Sequence, residues 1–131
     1  MLLNLETGKI IARKVIPAYS FFKRLKGLMF SKELAYECAI HIKPCSSVHT
    51  FFMNYAIDVL YLDSEKRIVA IDESLPPKRI GKLYMQAESV IELPSGTIAK
   101  SQTKVGHKLL IDIQNIYIGG IHDEKQVNGS Y

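Results

Sequence analysis

The sequence predicts a mainly β or α+β domain, a compact barrel-like or rolled antiparallel sheet with one short N-terminal helix. Three observations carry that expectation. Short runs rich in Ile, Val, Leu and Tyr recur along the chain, each bounded by Gly, Pro, Asp, Asn or Ser. One stretch, residues 19–30, instead places its apolar residues at helical spacing. The chain has 131 residues, of which 47% are hydrophobic and 23% charged, the usage of a globular chain long enough for one core. A single domain over 1–131 is therefore expected.

Residues 1–16 read as a hairpin, with strand-like LLNLE and KIIARKVI on either side of a Thr7-Gly8 turn, and Pro17 is expected to end it. In YSFFKRLKGLMF, Phe21, Phe22, Leu25, Leu28 and Met29 follow a helical stripe, with Ser20 as its N-cap and Gly27 near its end. Residues 36–42 form a strand candidate that Pro44 stops. Residues 56–63, AIDVLYLD, are too short for a helix and read as a strand; Ser64-Glu65-Lys66 turns it into an antiparallel mate, RIVAID. LPPKRIGKL at 75–83 carries two prolines and a glycine and is expected to cross the surface. Residues 87–93 give another strand with a Pro94-Ser95-Gly96 turn, and 108–118 the last strand region; 119–131 is expected to be loosely held.

Composition excludes some classes of function. The net charge of +4 is mild, and although Lys23, Arg24 and Lys26 sit beside Phe21 and Phe22, no nucleic-acid motif accompanies them, so nucleic-acid binding is not expected. There is no apolar run of membrane-spanning length and no signal-peptide pattern at the start, which predicts a cytoplasmic protein. Cys38 and Cys45 suit a reducing compartment as thiols.

The reactive side chains concentrate in PCSSVHTFFMNYAIDVLYLD, residues 44–63. On strand 56–63, alternation puts Ala56, Asp58, Leu60 and Leu62 on one face and Ile57, Val59, Tyr61 and Asp63 on the other, both largely apolar. An ionised Asp58 there loses its hydration and needs a cationic or hydrogen-bonding companion. Arg24 is one candidate, in a structural ion pair that would clamp the helix to the strand; His49 or backbone amides are others.

Three further patterns stay open. Cys38, His41, Cys45 and His49 are zinc-ligand types, but alternation separates Cys38 from His41, so no metal or other cofactor is expected; a buried Cys38 and a surface His41 account for them instead. Cys45, His49 and Asp58 have the residue types of a nucleophile, a base and an orienting acid. Cys45, His49, Thr50 and Met53, with Phe51 and Phe52 between the last two, combine apolar walls with a few polar groups, as ligand pockets do. Glu88 and Glu92 lie on one strand face, and Glu92 before Pro94 is expected to cap or pair within a turn.

RLKGLMF at 24–30, PCSSVHTFFM at 44–53, IDVLYLD at 57–63 and VIELPSG at 90–96 resemble, in order and spacing, the domain of unknown function family 192. The resemblance covers about 11–113 and implies a small β-rich domain, with no reaction attached. The positions it matches are Arg24, Gly27, Leu28, Met29, Cys45, His49, Met53, Asp58, Glu92 and Gly96. Many relatives carry Trp-Met at Phe52-Met53 and lack the cysteine and histidine, and Gly106-His107 stands where Gly-Asp is usual. The expected function is a non-catalytic module that binds a small molecule or a protein partner around Cys45, His49, Thr50 and Met53. The alternative is a thiol- or metal-dependent hydrolytic enzyme using Cys45, His49 and Asp58.

Overall fold

The computed structural model describes residues 1–20, 37–50 and 53–113. Within them the chain forms β1 (Leu2–Asn4), β2 (Ile10–Ala12), β3 (Lys14–Ala18), β4 (Cys38–Ile42), β5 (Ile57–Leu62), β6 (Ile68–Leu75), β7 (Ser89–Pro94), a helix α1 (Thr97–Ser101) and β8 (Leu109–Ile111). The expected N-terminal helix over 19–30 falls mostly outside the described residues, as do the end of 108–118 and the tail.

The strands make two sheets, one three-stranded in the order β2-β1-β8 and one five-stranded in the order β3-β4-β7-β5-β6. All pairings are antiparallel except β3 with β4, which run parallel. Among the described residues neither sheet closes into a barrel; the rolled arrangement is the one found. Three backbone hydrogen bonds make the roll: Leu109 N–H to Lys66 O, Ile68 N–H to His107 O and Gly106 N–H to Ile68 O join the start of β6 to the approach of β8.

The hairpin turn at Thr7-Gly8 forms, with Gly8 at φ 73° and the Asn4 side chain accepting from Glu6 and Thr7 N–H. Pro17 does not end the segment. It lies inside β3, and it is tolerated because β3 is an edge strand with one side free of ladder partners.

β5 is buried along its whole length, so each face feeds a different core. Leu60 and Leu62 join Val15, Ala39, Ile91 and Leu93 under the small sheet, which adds Leu2, Ile11, Ala12 and Leu109. Ile57, Val59 and Tyr61 join Ile40, Ile42, Val48, Met53 and Val90 on the opposite face. β6 carries an extra residue opposite 57–59, where Ser74 takes a left-handed φ of 49°. This bulge re-aims one backbone N–H into the sheet.

Candidate functional site

The residues 45–50 do not stand alone as a loop. They run beside 78–84, tied by hydrogen bonds from Thr50 N–H to Arg79 O, Lys78 N–H to Thr50 O, Gly81 N–H to Val48 O and Tyr84 N–H to Ser46 O. His49 bridges Ile80 in the same ribbon. The crossing expected at 75–83 is thus a surface segment held as half of a two-stranded ribbon. Gly81 has to be small there, because a Cβ would come within 3.1 Å of Val48 O and 3.2 Å of Tyr61 Oη.

Thr50 is the ribbon's clip. It is buried, its hydroxyl donates to Pro76 O at 2.6 Å, and the same oxygen accepts from Arg79 N–H at 2.9 Å. Met53 is buried in the second core cluster, so Thr50 and Met53 face the interior, while His49 is exposed and Cys45 half-buried. Cys45 packs on that same cluster, with Sγ 2.9 Å from Ser47 O and its N–H donated to Glu88 O. On the outside the ribbon shows Ile80, Leu83 and Met85, exposed by 70%, 62% and 84%. Lys78 and Arg79, just before Ile80, and Lys82, between Ile80 and Leu83, are exposed as well.

Asp58 is buried on the other face of β5, with Leu60 and Leu62. Its companions are three backbone amides. Ser74 N–H, re-aimed by the bulge, reaches Oδ1 at 2.7 Å; Gly96 and Ile98 N–H reach Oδ2 at 3.1 and 2.9 Å. α1 has no capping side chain of its own, since Gly96 stands at its N-cap, and Asp58 supplies the acceptor from a strand distant in sequence. Arg24 lies outside the described residues. Asp58 and Cys45 serve opposite faces of one sheet, so the structure does not bring nucleophile, base and acid to a common point.

Glu92 corrects an expectation. It does not cap a turn but sits inside β7, 4% exposed, between Ile40 of β4 and Val59 of β5. Its Oε2 is buried without a hydrogen-bond partner, and burial pushes the carboxyl up to about 8, so it is protonated at neutral pH. VIELP is apolar on both sides of Glu92, which is compatible with burial, but only the place of β7 between β4 and β5 decides it.

His41 and Cys38 also exchange places with what was expected. Cys38 is partly exposed and His41 is 2% exposed, on the β4 face shared with Ala39. Tyr19 Oη lies 2.7 Å from His41 Nδ1, with the rings edge to face at 5.2 Å. Nε2 is buried without a partner. Burial, then the charges of Lys66 and Lys43, lower His41 to about 4, and burial raises Tyr19 to about 12. The Tyr–His pair is therefore neutral at physiological pH. Among the described residues no three His, Cys, Asp or Glu side chains are grouped as a metal ion would need.

Two sheets with a clipped surface ribbon define a small β-rich domain. The chain belongs to the family described as Uncharacterized ACR, domain of unknown function 192, whose model matches residues 3–111 and so takes in β1 as well as the core. It is 36% identical over 111 residues to a UPF0127 protein of Pyrococcus furiosus, covering 82% of this chain and 95% of that protein. A UPF0127 protein of Thermococcus sibiricus is 32% identical over 117 residues, covering 83% and 73%. A crystal structure of a protein of unknown function from Novosphingobium aromaticivorans matches with a TM-score of 0.73 at 21% identity, over 84% of this chain and 82% of that one. At that identity the likeness shows the fold alone. No helix among the described residues is long and apolar enough to cross a membrane.

Proposed function

We propose that this chain is a non-catalytic binding module that docks a protein partner through the ribbon beside Cys45 and His49. One observation supports it above the rest: three large apolar side chains, Ile80, Leu83 and Met85, stand in solvent on a segment whose backbone is held in place by hydrogen bonds to 45–50. A segment tied to the fold by its backbone while it exposes large apolar side chains offers what a docking surface requires. Lys78, Arg79 and Lys82 edge that patch, so the matching partner segment carries apolar anchors among acidic residues. Thr50 and Met53 act from beneath, fixing the ribbon rather than touching the partner. The reading places the protein in the cytoplasm, where Cys38 and Cys45 persist as thiols. The hydrolytic alternative gains no support from the geometry, because Asp58 and Cys45 face different cores.

The test is photo-crosslinking in cells from a photoactivatable residue placed at Met85, with one at exposed Leu110 as the control. The expected result is a discrete adduct from position 85 alone, joined to an acidic segment and lost in the double variant Ile80→Asp, Leu83→Asp. Equal adducts from both positions, or an adduct only with a second copy of this chain, would overturn the proposal.

A further inference from the structure

His41, Lys43 and Lys66 border a cavity of about 430 Å³ at the margin of the first core, a volume within the small-molecule range. Tyr19 and Pro44 line it too, and Ile111 and Ile113 supply its aliphatic surface. The polar end is unusual for the rim of a core. His41 is almost wholly buried, yet its Nε2 has no hydrogen-bond partner, which native interiors rarely tolerate.

The tautomer follows from the Tyr19 contact. An imidazole nitrogen is a better acceptor than a phenol oxygen, so the Tyr19 O–H donates to Nδ1 and the ring proton stays on Nε2. His41 thereby carries an unused, buried N–H donor on a side chain that lines the pocket together with Lys43 and Lys66. Lys43 lies 3.5 Å from Glu88, but both side chains of that pair are about two-fifths exposed, so an incoming anion can take Lys43 over at little cost.

We propose that this cavity binds a small organic anion, a carboxylate or phosphate group on a compact aliphatic body. The anionic oxygen accepts the His41 Nε2–H and is neutralised by Lys43 and Lys66, while the aliphatic part lies on Ile111 and Ile113. A neutral imidazole donor beside two cationic side chains suits an oxyanion, whereas a cationic ligand would be repelled and a purely apolar one would leave Nε2 unmatched. The site uses none of the ribbon's apolar residues, so it goes beyond the docking proposal and fails or stands independently of it.

The experiment titrates the full chain with butyrate, butyl phosphate, inorganic phosphate and the neutral isostere butyramide, following the His41 ring nitrogens by NMR. The expected result is a saturable shift of Nε2 with butyrate or butyl phosphate, several-fold tighter than inorganic phosphate, and none with butyramide. The tighter of the two organic anions identifies the headgroup. Lys66→Met should weaken that binding by roughly tenfold, as should Lys43→Met by a smaller factor because of Glu88, with unchanged melting temperatures. His41→Gln should abolish it, and the lysine variants keep the test valid if the His41 variant does not fold. Equal binding of butyramide, unchanged affinity in both lysine variants, or no saturable shift with any of the anions at millimolar concentration would overturn the site.

Discussion

Two buried titratable residues set opposite pH trends. Glu92 is held up to about 8 in the fold against an ordinary value of 4.5, so the folded chain binds the extra proton between those limits. Its contribution is complete below about 4.5 and is lost as pH rises through 8. His41, lowered from 6.5 to about 4, does the reverse: the unfolded chain binds the proton, and stability grows as pH rises from about 4 to 6.5. Glu92→Gln should therefore flatten the decline between pH 6.5 and 8 and raise stability at pH 8 by a few kcal/mol, since a tenfold change in proton affinity is worth about 1.4 kcal/mol and part of the cost is relieved by relaxation. Urea denaturation at a series of pH values checks both limbs; a decline that persists in Glu92→Gln would show that another group carries it. The burial of neither residue follows from its neighbours in the chain. Strand periodicity assigns their faces, but which face meets water depends on what covers the sheet.

At the scale of elements, two side chains hold together parts that are distant in sequence. Asp58 ties β5 to the β6 bulge and to the start of α1 through three amides. Asn at this position offers one carbonyl oxygen in place of two carboxylate oxygens and points an NH2 at a donor. Asp58→Asn should therefore cost about 3 kcal/mol or more and lower the melting temperature by roughly 10 °C. A change under about 2 °C would mean that the amides find other acceptors. Thr50 does the same for the ribbon. Thr50→Val keeps the shape but loses the bonds to Pro76 and Arg79, at a cost of about 1–3 kcal/mol. Amide exchange at 78–84 should rise more than exchange in β5, and uniform loss of protection would contradict a local clip. The need of Asp58 for a companion was legible from its apolar surroundings. That the companions are amides was not, because α1 and the bulge become neighbours of β5 only in the folded sheet. α1 itself gave no periodic signal, being five residues long with a glycine as N-cap.

On the scale of the molecule, the five-stranded sheet separates two cores, and this is why Asp58 and Cys45 cannot meet. Leu60 and Tyr61 are neighbours in sequence and lie in different clusters. Leu60→Ala opens a cavity beneath the three-stranded sheet and should cost about 2–5 kcal/mol. Loss of protection should then reach β1 and β8 in hydrogen exchange, since their cover is the core that Leu60 fills; protection lost only on the ribbon side would place Leu60 in the wrong cluster. The ribbon variants Ile80→Asp and Leu83→Asp, by contrast, alter solvent-exposed positions and should leave stability within about 0.5 kcal/mol.

By itself the sequence determined a β-rich class, most strand positions, the family, and the presence of a buried acid in β5, because alternation and turn residues are local properties of the chain. Only the tertiary structure decided that β3 and β4 run parallel, that the 45–50 loop is half of a ribbon, and that His41 and Glu92 are buried. Those outcomes depend on which segment covers which face, and pairing across the chain is fixed by packing between residues that the sequence keeps far apart.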